Sequence, residues 1–428
     1  MNPHSALRQP GRHFLQIPGP TNVPDRVLRA IDYPTIDHRG EGFAELAQIC
    51  LEGLKPIFQI DDGYVFIYPA SGTGAWEAAL VNTLSPGDRV LLFETGQFAV
   101  LWRKVAERFG LEVDFVPGDW RHGIDPNMVE AKLKADAEAK IKAVLCVHNE
   151  TSSGITSRLA EIRQAIDAAR HPALLMADMV SSLASIECKT AEWGVDVAVA
   201  SSQKGLMLPP GLSFNAVSPK ALAAAKSARL PRSFWAWDDM LNLNEKGYFP
   251  YTPATNLLYG LREALSMLEE EGLANVFDRH ARHAEATRSA VRAWGLEVVA
   301  SDEREYSNSL TAVLMPIGFD ETVLRRMILA RFNLALGAGL GKFVGRVFRI
   351  GHLGDFNDLM LCATLAGVEM GLELAGVPHQ SGGVAAAMEV LSRSEANSTE
   401  SSGLPAKGAI AVTTGKELSA TPVLSAPK

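Results

Sequence analysis

Between Tyr64 and about Val217, short apolar runs alternate regularly with longer segments of helical period. The runs are rich in Val, Ile, Leu and Ala, and they read YVFIY, RVLLF, LEVDFV, IKAVLCV, ALLMA and VDVAVA. This alternation is typical of βαβ units, in which helices cover both faces of a mostly parallel sheet. The sequence therefore predicts an α/β fold with a large parallel sheet.

The pattern changes after Tyr251, where a long amphipathic helix opens a second region. Two strands, a helix near residues 321–331, a third strand (RVFRI) and a final helix near 355–374 follow, which predicts a smaller α+β domain. The chain from about Ser392 has no aromatic residue and is rich in Ser, Thr, Ala, Gly and Pro, as disordered segments are. We predict four parts: an N-terminal segment (1–20), a large domain (21–255), a small domain (256–391) and a disordered tail (392–428).

Charge and cysteine content narrow the class of protein. The chain carries 41 Lys and Arg against 49 Asp and Glu, a net charge of -8, which argues against a nucleic-acid partner. The 4 cysteines have no paired spacing, so neither a disulfide framework nor a metal site is indicated, and a cytoplasmic protein is expected. No signal-peptide core and no apolar stretch of membrane-spanning length is visible, so we expect no membrane partner.

A turn of small residues follows the run YVFIY. It reads Pro-Ala-Ser-Gly-Thr-Gly-Ala over residues 69–75 and leads into a helical segment. The N-terminus of a helix, with glycines that allow close approach, can bind a phosphate group. A plain strand-to-helix turn with good capping residues is the alternative, and the glycine spacing does not match a dinucleotide-binding fingerprint.

Two other motifs are weaker. The glycine cluster 337–342 resembles a nucleotide-binding loop, but Phe343 stands where a magnesium-binding Ser or Thr would be needed, so a flexible loop is predicted. His280 and His283 share a helix face without the rest of a zinc-protease motif, and they are predicted to be solvated helix residues.

Asp178 and Lys204 are the most informative pair. Asp178 ends the run ALLMA, and Lys204 follows the run VDVAVA. Ligands of open α/β sheets bind at the carboxyl ends of strands, so the two side chains are candidate neighbours in an active site. With the turn 69–75 they could serve an aldehyde cofactor that carries a phosphate: Lys204 forms the Schiff base, Asp178 keeps the ring nitrogen protonated, and the turn binds the phosphate.

Seven segments, in order, resemble the class V aminotransferases of fold type I, and among them most closely the serine-glyoxylate aminotransferases and their alanine-glyoxylate relatives. The resemblance covers about residues 14–391, and the segments are IPGPTNVP, SGTGAWEAAL, VHNETSSGI, ADMVSSL, SSQKGLMLPPG, YTPATNLLYGLREAL and VFRIGHLGDFND. It implies pyridoxal 5'-phosphate as the cofactor, a large domain with a seven-stranded sheet of mostly parallel strands, and a homodimer, possibly paired again, with shared active sites.

By position, the resemblance implies roles for individual residues. Lys204 and Asp178 are the catalytic residues, Thr151 bonds the phenolic oxygen of the cofactor, and Val180 and Phe98 contact its ring. Core packing is the alternative for Phe98. The phosphate is implied to be held by Ser71, Gly72, Thr73 and Gln203, with Tyr251 and Thr252 arriving from the neighbouring subunit.

The implied substrate contacts are Arg349, which binds the α-carboxylate, and Gly19, which closes over the amino acid. His38 and Arg39 could face the pocket of the neighbouring subunit or lie in a capped surface loop. Serine is the expected amino donor and glyoxylate the acceptor, giving hydroxypyruvate and glycine; alanine and aspartate are alternative donors. Aspartate would need another cation, for which Arg39 and Lys342 are the candidates. A cysteine desulfurase-like lyase is a more distant alternative, and a binding role of the tail is another.

Overall fold

Seven strands from the alternating region form one sheet in the computed structural model, which describes residues 11–398. The strands of the described chain are β1 Phe14–Gln16, β2 Tyr64–Tyr68, β3 Arg89–Phe93, β4 Glu112–Val116, β5 Ile141–Val147, β6 Asn149–Glu150, β7 Ile155–Thr156, β8 Leu174–Asp178, β9 Val197–Ser201, β10 Ser213–Val217, β11 Glu297–Val298, β12 Leu310–Leu314, β13 Leu334–Leu336 and β14 Val347–Gly351.

The α-helices of the same residues are α1 Asp25–Ile31, α2 Glu41–Phe58, α3 Gly72–Thr83, α4 Gln97–Arg108, α5 Pro126–Ala135, α6 Leu159–Ala168, α7 Pro219–Ala225, α8 Trp237–Asn244, α9 Thr255–Glu271, α10 Leu273–Ala293, α11 Glu321–Phe332, α12 Asp358–Leu374 and α13 Gly383–Ser398. Among them, none has both the length and the apolar character that a membrane crossing needs.

The large sheet has the order β2-β10-β9-β8-β5-β3-β4. All neighbours pair in parallel except β10, which is antiparallel to both β2 and β9. The strands of its centre are buried on both faces, as their continuous apolar sequences require. The predicted α/β class and the mostly parallel seven-stranded sheet are confirmed.

Three smaller sheets lie in the described residues, and one of them is the short antiparallel pair β6-β7. Strands β11, β12 and β14 form an antiparallel sheet. The N-terminal β1 pairs in parallel with β13, so that Phe14 lies opposite Leu334. Within the described residues, 11–391 belong to one compact unit.

The apolar interior contains two main clusters. One surrounds the large sheet, and the other lies between α10, α11, α12 and β14. The apolar face of α9, with Leu258, Leu261 and Leu265, packs into the first cluster. The predicted domain boundary at residue 256 stays a prediction. The change in sequence pattern that suggested this boundary lies just before α9, and α9 packs into the apolar cluster around the large sheet. Helix α13 continues to Ser398, seven residues past Leu391, and the rest of the predicted tail lies outside the described residues.

His280 and His283 are fully buried, so their prediction as solvated residues is wrong. The Nδ1 atom of His280 lies 2.6 Å from the carbonyl oxygen of Val276, and its Nε2 accepts a hydrogen bond from the amide of Gly354. The Nε2 atom of His283 lies 2.8 Å from Asp358 Oδ1. Gly354 and Asp358 lie just before α12 and at its start, and a helical spacing alone does not reveal them.

The two histidines make the fold sensitive to acid. Burial lowers the pKa of His280 to about 3 and that of His283 to about 4, from an ordinary value of 6.5. Below that ordinary value the unfolded chain binds protons that the folded chain does not, so the free energy of unfolding falls as the pH falls from about 6.5 to about 4. We expect Tm to drop over this range, and less steeply in His280→Gln, when followed by calorimetry. The exposed His122→Gln should keep the wild-type slope, and an equal slope in both variants would contradict the assignment.

Candidate active site

Three chain segments meet at the carboxyl edge of the large sheet. Asp178 ends β8, Lys204 lies in the turn after β9, and α3 begins at Gly72 directly after β2. They surround a cavity of about 230 Å³ whose lining is Gly19, Pro20, Ser71, Gly72, Thr73, Trp76, Phe98, Asn149, Thr151, Asp178, Val180, Gln203 and Lys204. Ten of the predicted site residues are thus brought together around one cavity. Another cavity, of about 520 Å³, lies near residues 12–26, where Arg26 is already paired with Glu263 and Glu270.

The carboxylate of Asp178 is buried and held by one donor on each oxygen. The amide of Val180 donates to Oδ1 at 2.8 Å, and the indole nitrogen of Trp76 donates to Oδ2 at 3.1 Å. Burial raises the pKa of Asp178 to about 7, although both hydrogen bonds and the charge of Lys204 act in the opposite direction. A cation placed against this carboxylate would favour its charged form further.

Lys204 is buried as well, and burial together with the charge of Arg349 lowers its pKa to about 7. A lysine with a lowered pKa is neutral in a larger fraction of molecules at neutral pH, which suits a nucleophilic amine. Its Nζ donates a hydrogen bond to the carbonyl oxygen of Pro18. The site therefore holds a reactive amine on a buried side chain.

The segment 17–21 covers the lysine closely. At Gly19, which has a φ of 102°, a Cβ would lie 2.4 Å from Lys204 Cδ, so only glycine fits here. Thr21 fixes this approach: its amide donates to the carbonyl oxygen of Gln203, and its hydroxyl donates to that of Lys204. The turn IPGPTN thus lies against the amine through backbone contacts.

The N-terminus of α3 fits a phosphate group. No side chain caps it, so the amides of its first turn are available to a ligand, and the hydroxyls of Ser71 and Thr73 line the same cavity. A Cβ at Gly72 would lie 2.7 Å from Val180 Cγ2. Glycine is therefore needed at this position, where the start of α3 approaches the side chain of Val180. The Oε1 atom of Gln203 is buried and has no partner among the described residues. A polar side chain left in this state suits a polar ligand.

Hydrogen bonds order the wall opposite α3. The Ser181 hydroxyl donates to the carbonyl oxygen of Asn149 and accepts from Asn149 Nδ2 and Thr151 Oγ1. The buried Glu150 accepts from the amides of Phe98 and Ala99 and so caps α4. Phe98 and Thr151 are consequently held at fixed positions along the cavity.

Arg349 lies in β14, buried next to this wall rather than in the lining itself. Its Nε donates to the carbonyl oxygen of Ala338 at 2.7 Å, and its Nη1 donates to that of Thr151 at 2.8 Å. Burial lowers its pKa to about 10, while the charge of Glu150 acts in the other direction. The guanidinium is oriented by two carbonyls, and Nη2 takes part in neither bond.

Five other candidates lie outside the cavity lining. The Tyr251 hydroxyl donates to the carbonyl oxygen of Ile67, and Thr252 is exposed. Arg39 is exposed and His38 half-buried. Lys342 Nζ lies 2.6 Å from Glu94 Oε1 and 5.2 Å from the ring centre of Trp120. The loop predicted around it contains a short 3-10 turn at Gly341–Phe343.

Sequence reasoning missed Trp76, Asn149 and Pro20 as lining residues. Trp76 lies four residues after Gly72 in α3, and residues four apart share a helix face. Its position in the motif SGTGAWEAAL was the available signal. No group of three or more His, Cys, Asp or Glu among the described residues is arranged to hold a metal ion.

The fold and the cavity together define a class. A lysine and a carboxylate at the strand ends of a mostly parallel seven-stranded sheet, facing a helix N-terminus, are the arrangement of pyridoxal-phosphate enzymes of fold type I. The family model described as "Aminotransferase class-V" matches residues 13–341 of this chain. The chain therefore belongs to the class V aminotransferase family. It is therefore an aminotransferase, and pyridoxal phosphate is its cofactor.

Individual relatives agree with this family. The chain is 50% identical over 393 residues to serine--glyoxylate aminotransferase of Methylorubrum extorquens, covering 90% of this chain and 98% of the relative. It is 46% identical over 374 residues to L-aspartate--glyoxylate aminotransferase of Paracoccus denitrificans, covering 87% and 94%. The crystal structure of ureidoglycine-glyoxylate aminotransferase from Bacillus subtilis superposes with a TM-score of 0.82 at 27% identity, covering 90% of this chain and 100% of that one.

Replacing Arg349 with lysine tests the carboxylate contact. Lysine keeps the positive charge. Its single ammonium group cannot bond the carbonyl oxygens of Ala338 and Thr151 and also offer a planar pair of N–H donors to a carboxylate. We expect KM to rise at least about tenfold for every amino acid and oxo acid, because one charge-assisted hydrogen bond is worth about 1.5–3 kcal/mol. Steady-state kinetics with two donors and two acceptors measure this. If KM rises for a single substrate only, Arg349 contacts a side chain instead.

Proposed function

We propose that this aminotransferase transfers the amino group of L-serine to glyoxylate, giving hydroxypyruvate and glycine. The observation that carries the proposal is the 50% identity to serine--glyoxylate aminotransferase of Methylorubrum extorquens, which extends over 98% of that relative.

The residues would divide the work as follows. The amides of the first turn of α3 and the hydroxyls of Ser71 and Thr73 bind the phosphate, with Gln203 beside them. Asp178 would lie against the ring nitrogen, Phe98 and Val180 would flank the ring, and Thr151 would bond its phenolic oxygen. When bound, the cofactor supplies an electron-accepting ring for the electron pair left at the α-carbon of the donor.

Lys204 moves the proton. Its Nζ, neutral in part because of burial, would accept the proton from the α-carbon of the donor and pass it to the carbon of the bound cofactor that bears the aldehyde. Arg349 binds the α-carboxylate and so orients that carbon towards Nζ, while the segment around Gly19 excludes water. The same groups act in reverse order when glyoxylate is the acceptor.

The charges around the cavity favour serine over aspartate. Aspartate brings a second carboxylate, which needs a cation that has no other partner. Lys342 is already paired with Glu94, and Arg39, which lies outside the cavity lining of its own chain, could reach only the cavity of a second copy. The hydroxymethyl group of serine needs no such partner.

The test is kcat/KM for serine, alanine and aspartate, each with glyoxylate. Serine should exceed alanine by about tenfold or more if its hydroxyl is bonded, because a pocket built to bond that hydroxyl rejects alanine more strongly than apolar fit does, which is worth only about 1–3 kcal/mol. Aspartate should be poorer still. A clear preference for aspartate would overturn the serine proposal and leave the aminotransferase chemistry unchanged.

The desulfurase alternative has little support from the site. That chemistry needs a reactive cysteine, and no cysteine is among the residues that line the cavity. Cys362 is half-buried in α12, and burial raises its pKa, which disfavours the thiolate. Incubation with free cysteine should release no persulfide sulfur above background.

We also propose that the enzyme is a homodimer whose active sites are shared. Thr252 is exposed and lies outside the cavity lining of its own chain, so it is available to the cavity of a second copy. If so, mixing inactive Lys204→Ala with an impaired Thr252→Ala should restore activity, because one hybrid site then carries neither substitution. Light scattering would verify the subunit exchange. If activity does not recover after that exchange, the proposal of shared active sites is contradicted.

A cytoplasmic location fits the cysteines. All 4 are free thiols, and Cys50, Cys146 and Cys188 are buried. Free thiols persist in reducing compartments. Cell fractionation followed by immunoblotting tests this part of the proposal.

A further inference from the structure

Trp76 makes a direct contact with the carboxylate that faces the cofactor ring. Its indole nitrogen donates to Asp178 Oδ2 at 3.1 Å, and the side chain is 3% exposed. The other oxygen, Oδ1, accepts from the amide of Val180. A backbone amide is present whatever the side chain, so Trp76 is the side-chain donor that the sequence adds to this carboxylate.

The indole is itself fixed in place. Its ring stacks on that of Trp102 in α4, with ring centres 5.6 Å apart and planes 11° apart. Trp102 is fully buried, and its own indole nitrogen has no hydrogen-bond partner among the described residues. The two tryptophans therefore share packing, but only Trp76 donates to Asp178.

We propose that Trp76 is a positioning residue that holds Asp178 Oδ2 in one orientation and favours the ionised carboxylate opposite the ring nitrogen of the cofactor. The inference rests on the proposed role of Asp178, and it holds for any amino donor. A neutral donor serves this purpose well, because it stabilises the carboxylate without pairing with it and leaves the charge for the ring nitrogen.

The charged neighbours of Asp178 show why a donor is needed. Burial raises the pKa of its carboxyl, and the charge of Glu150 in β6 acts in the same direction. Lys204 acts in the opposite direction, and the buried thiol of Cys146 in β5 also interacts with Asp178. Without the indole N–H, the balance shifts towards a protonated Asp178, which cannot keep the ring nitrogen protonated.

The test compares Trp76→Phe with Trp102→Phe in the loaded enzyme. Both variants keep an aromatic ring in the stack, but only Trp76→Phe removes a hydrogen bond. The first readout is the NMR signal of the ring nitrogen in isotope-labelled cofactor, taken across a pH series without amino acid. In Trp76→Phe we expect it to move towards the position of unprotonated pyridine, and in Trp102→Phe to stay at the wild-type position.

The second readout is turnover, split into kcat and KM. Trp76→Phe should lower kcat by about ten- to a hundredfold, the loss expected for one hydrogen bond to a charged group, with KM little changed. An unshifted ring-nitrogen signal in Trp76→Phe, or equal shifts in the two variants, would overturn the inference and leave Trp76 as packing only. The NMR signal needs no donor, so a wrong choice of serine would show in the kinetics alone. A normal signal in both variants together with loss of cofactor on dilution would likewise count against it.

Discussion

Replacing Lys204 with alanine should lower turnover by about four orders of magnitude, because we propose that the amine both links to the cofactor and moves the proton at the α-carbon. The visible absorbance band that depends on the covalent link between Nζ and the cofactor should disappear. The fold should survive, since Nζ makes its hydrogen bond to a backbone carbonyl at the edge of a cavity. Absorbance spectra, circular dichroism and steady-state rates measure the three outcomes.

The matched control is Lys226→Ala, which removes an exposed lysine after α7. It should keep the absorbance band and the wild-type rate. A Lys204→Ala enzyme that keeps the band and full turnover would end the assignment of this lysine, whatever the control shows.

Replacing Asp178 with asparagine should lower kcat by about two or more orders of magnitude, or about 3 kcal/mol in the activation free energy. The change is nearly isosteric, but it removes the charge that, in the proposed function, keeps the ring nitrogen of the cofactor protonated. The substitution also places the side-chain NH₂ of the new asparagine opposite another hydrogen-bond donor. That donor is either the backbone amide of Val180 or the indole N–H of Trp76. Kinetics and cofactor titration measure the loss.

Asp239→Asn, an exposed position in α8, is the control for the chemistry of the substitution. It should leave both kcat and cofactor affinity at wild-type values. An unchanged kcat in Asp178→Asn would show that Asp178 acts only as the acceptor for the amide of Val180.

The fold could be predicted where local pattern decides structure. Apolar runs with helices between them predicted the large sheet, and strand ends predicted that Asp178 and Lys204 share a cavity. The antiparallel insertion of β10 between β2 and β9 has no local signal, because pairing depends on contacts between distant segments. The pairing of β1 with β13 could not be predicted from sequence periodicity for the same reason, and each of these strands is only three residues long.

The site could be predicted where a residue type carries its chemistry openly. A lysine, a carboxylate and a glycine turn each suggest a role, and ten of the predicted residues line one cavity. Trp76 has an apolar side chain by most criteria, and its donor role depends on where its indole nitrogen points in three dimensions. Burial of His280 and His283 depends on α12, which is distant in sequence.

During synthesis on the ribosome, the segment 17–21 that covers Lys204 is made early, whereas β13, which pairs with the strand just before that segment, is made much later. Phe14 pairs with Leu334, which is 334 - 14 = 320 residues later. At about 5–20 residues per second, synthesis of that stretch takes about 16 to 64 seconds. Until β13 emerges, β1 has no strand to pair with and the turn at Gly19 is not anchored from its N-terminal side. A nascent chain arrested before that point can hold this segment against Lys204 only through the bonds of Thr21 to the carbonyl oxygens of Gln203 and Lys204.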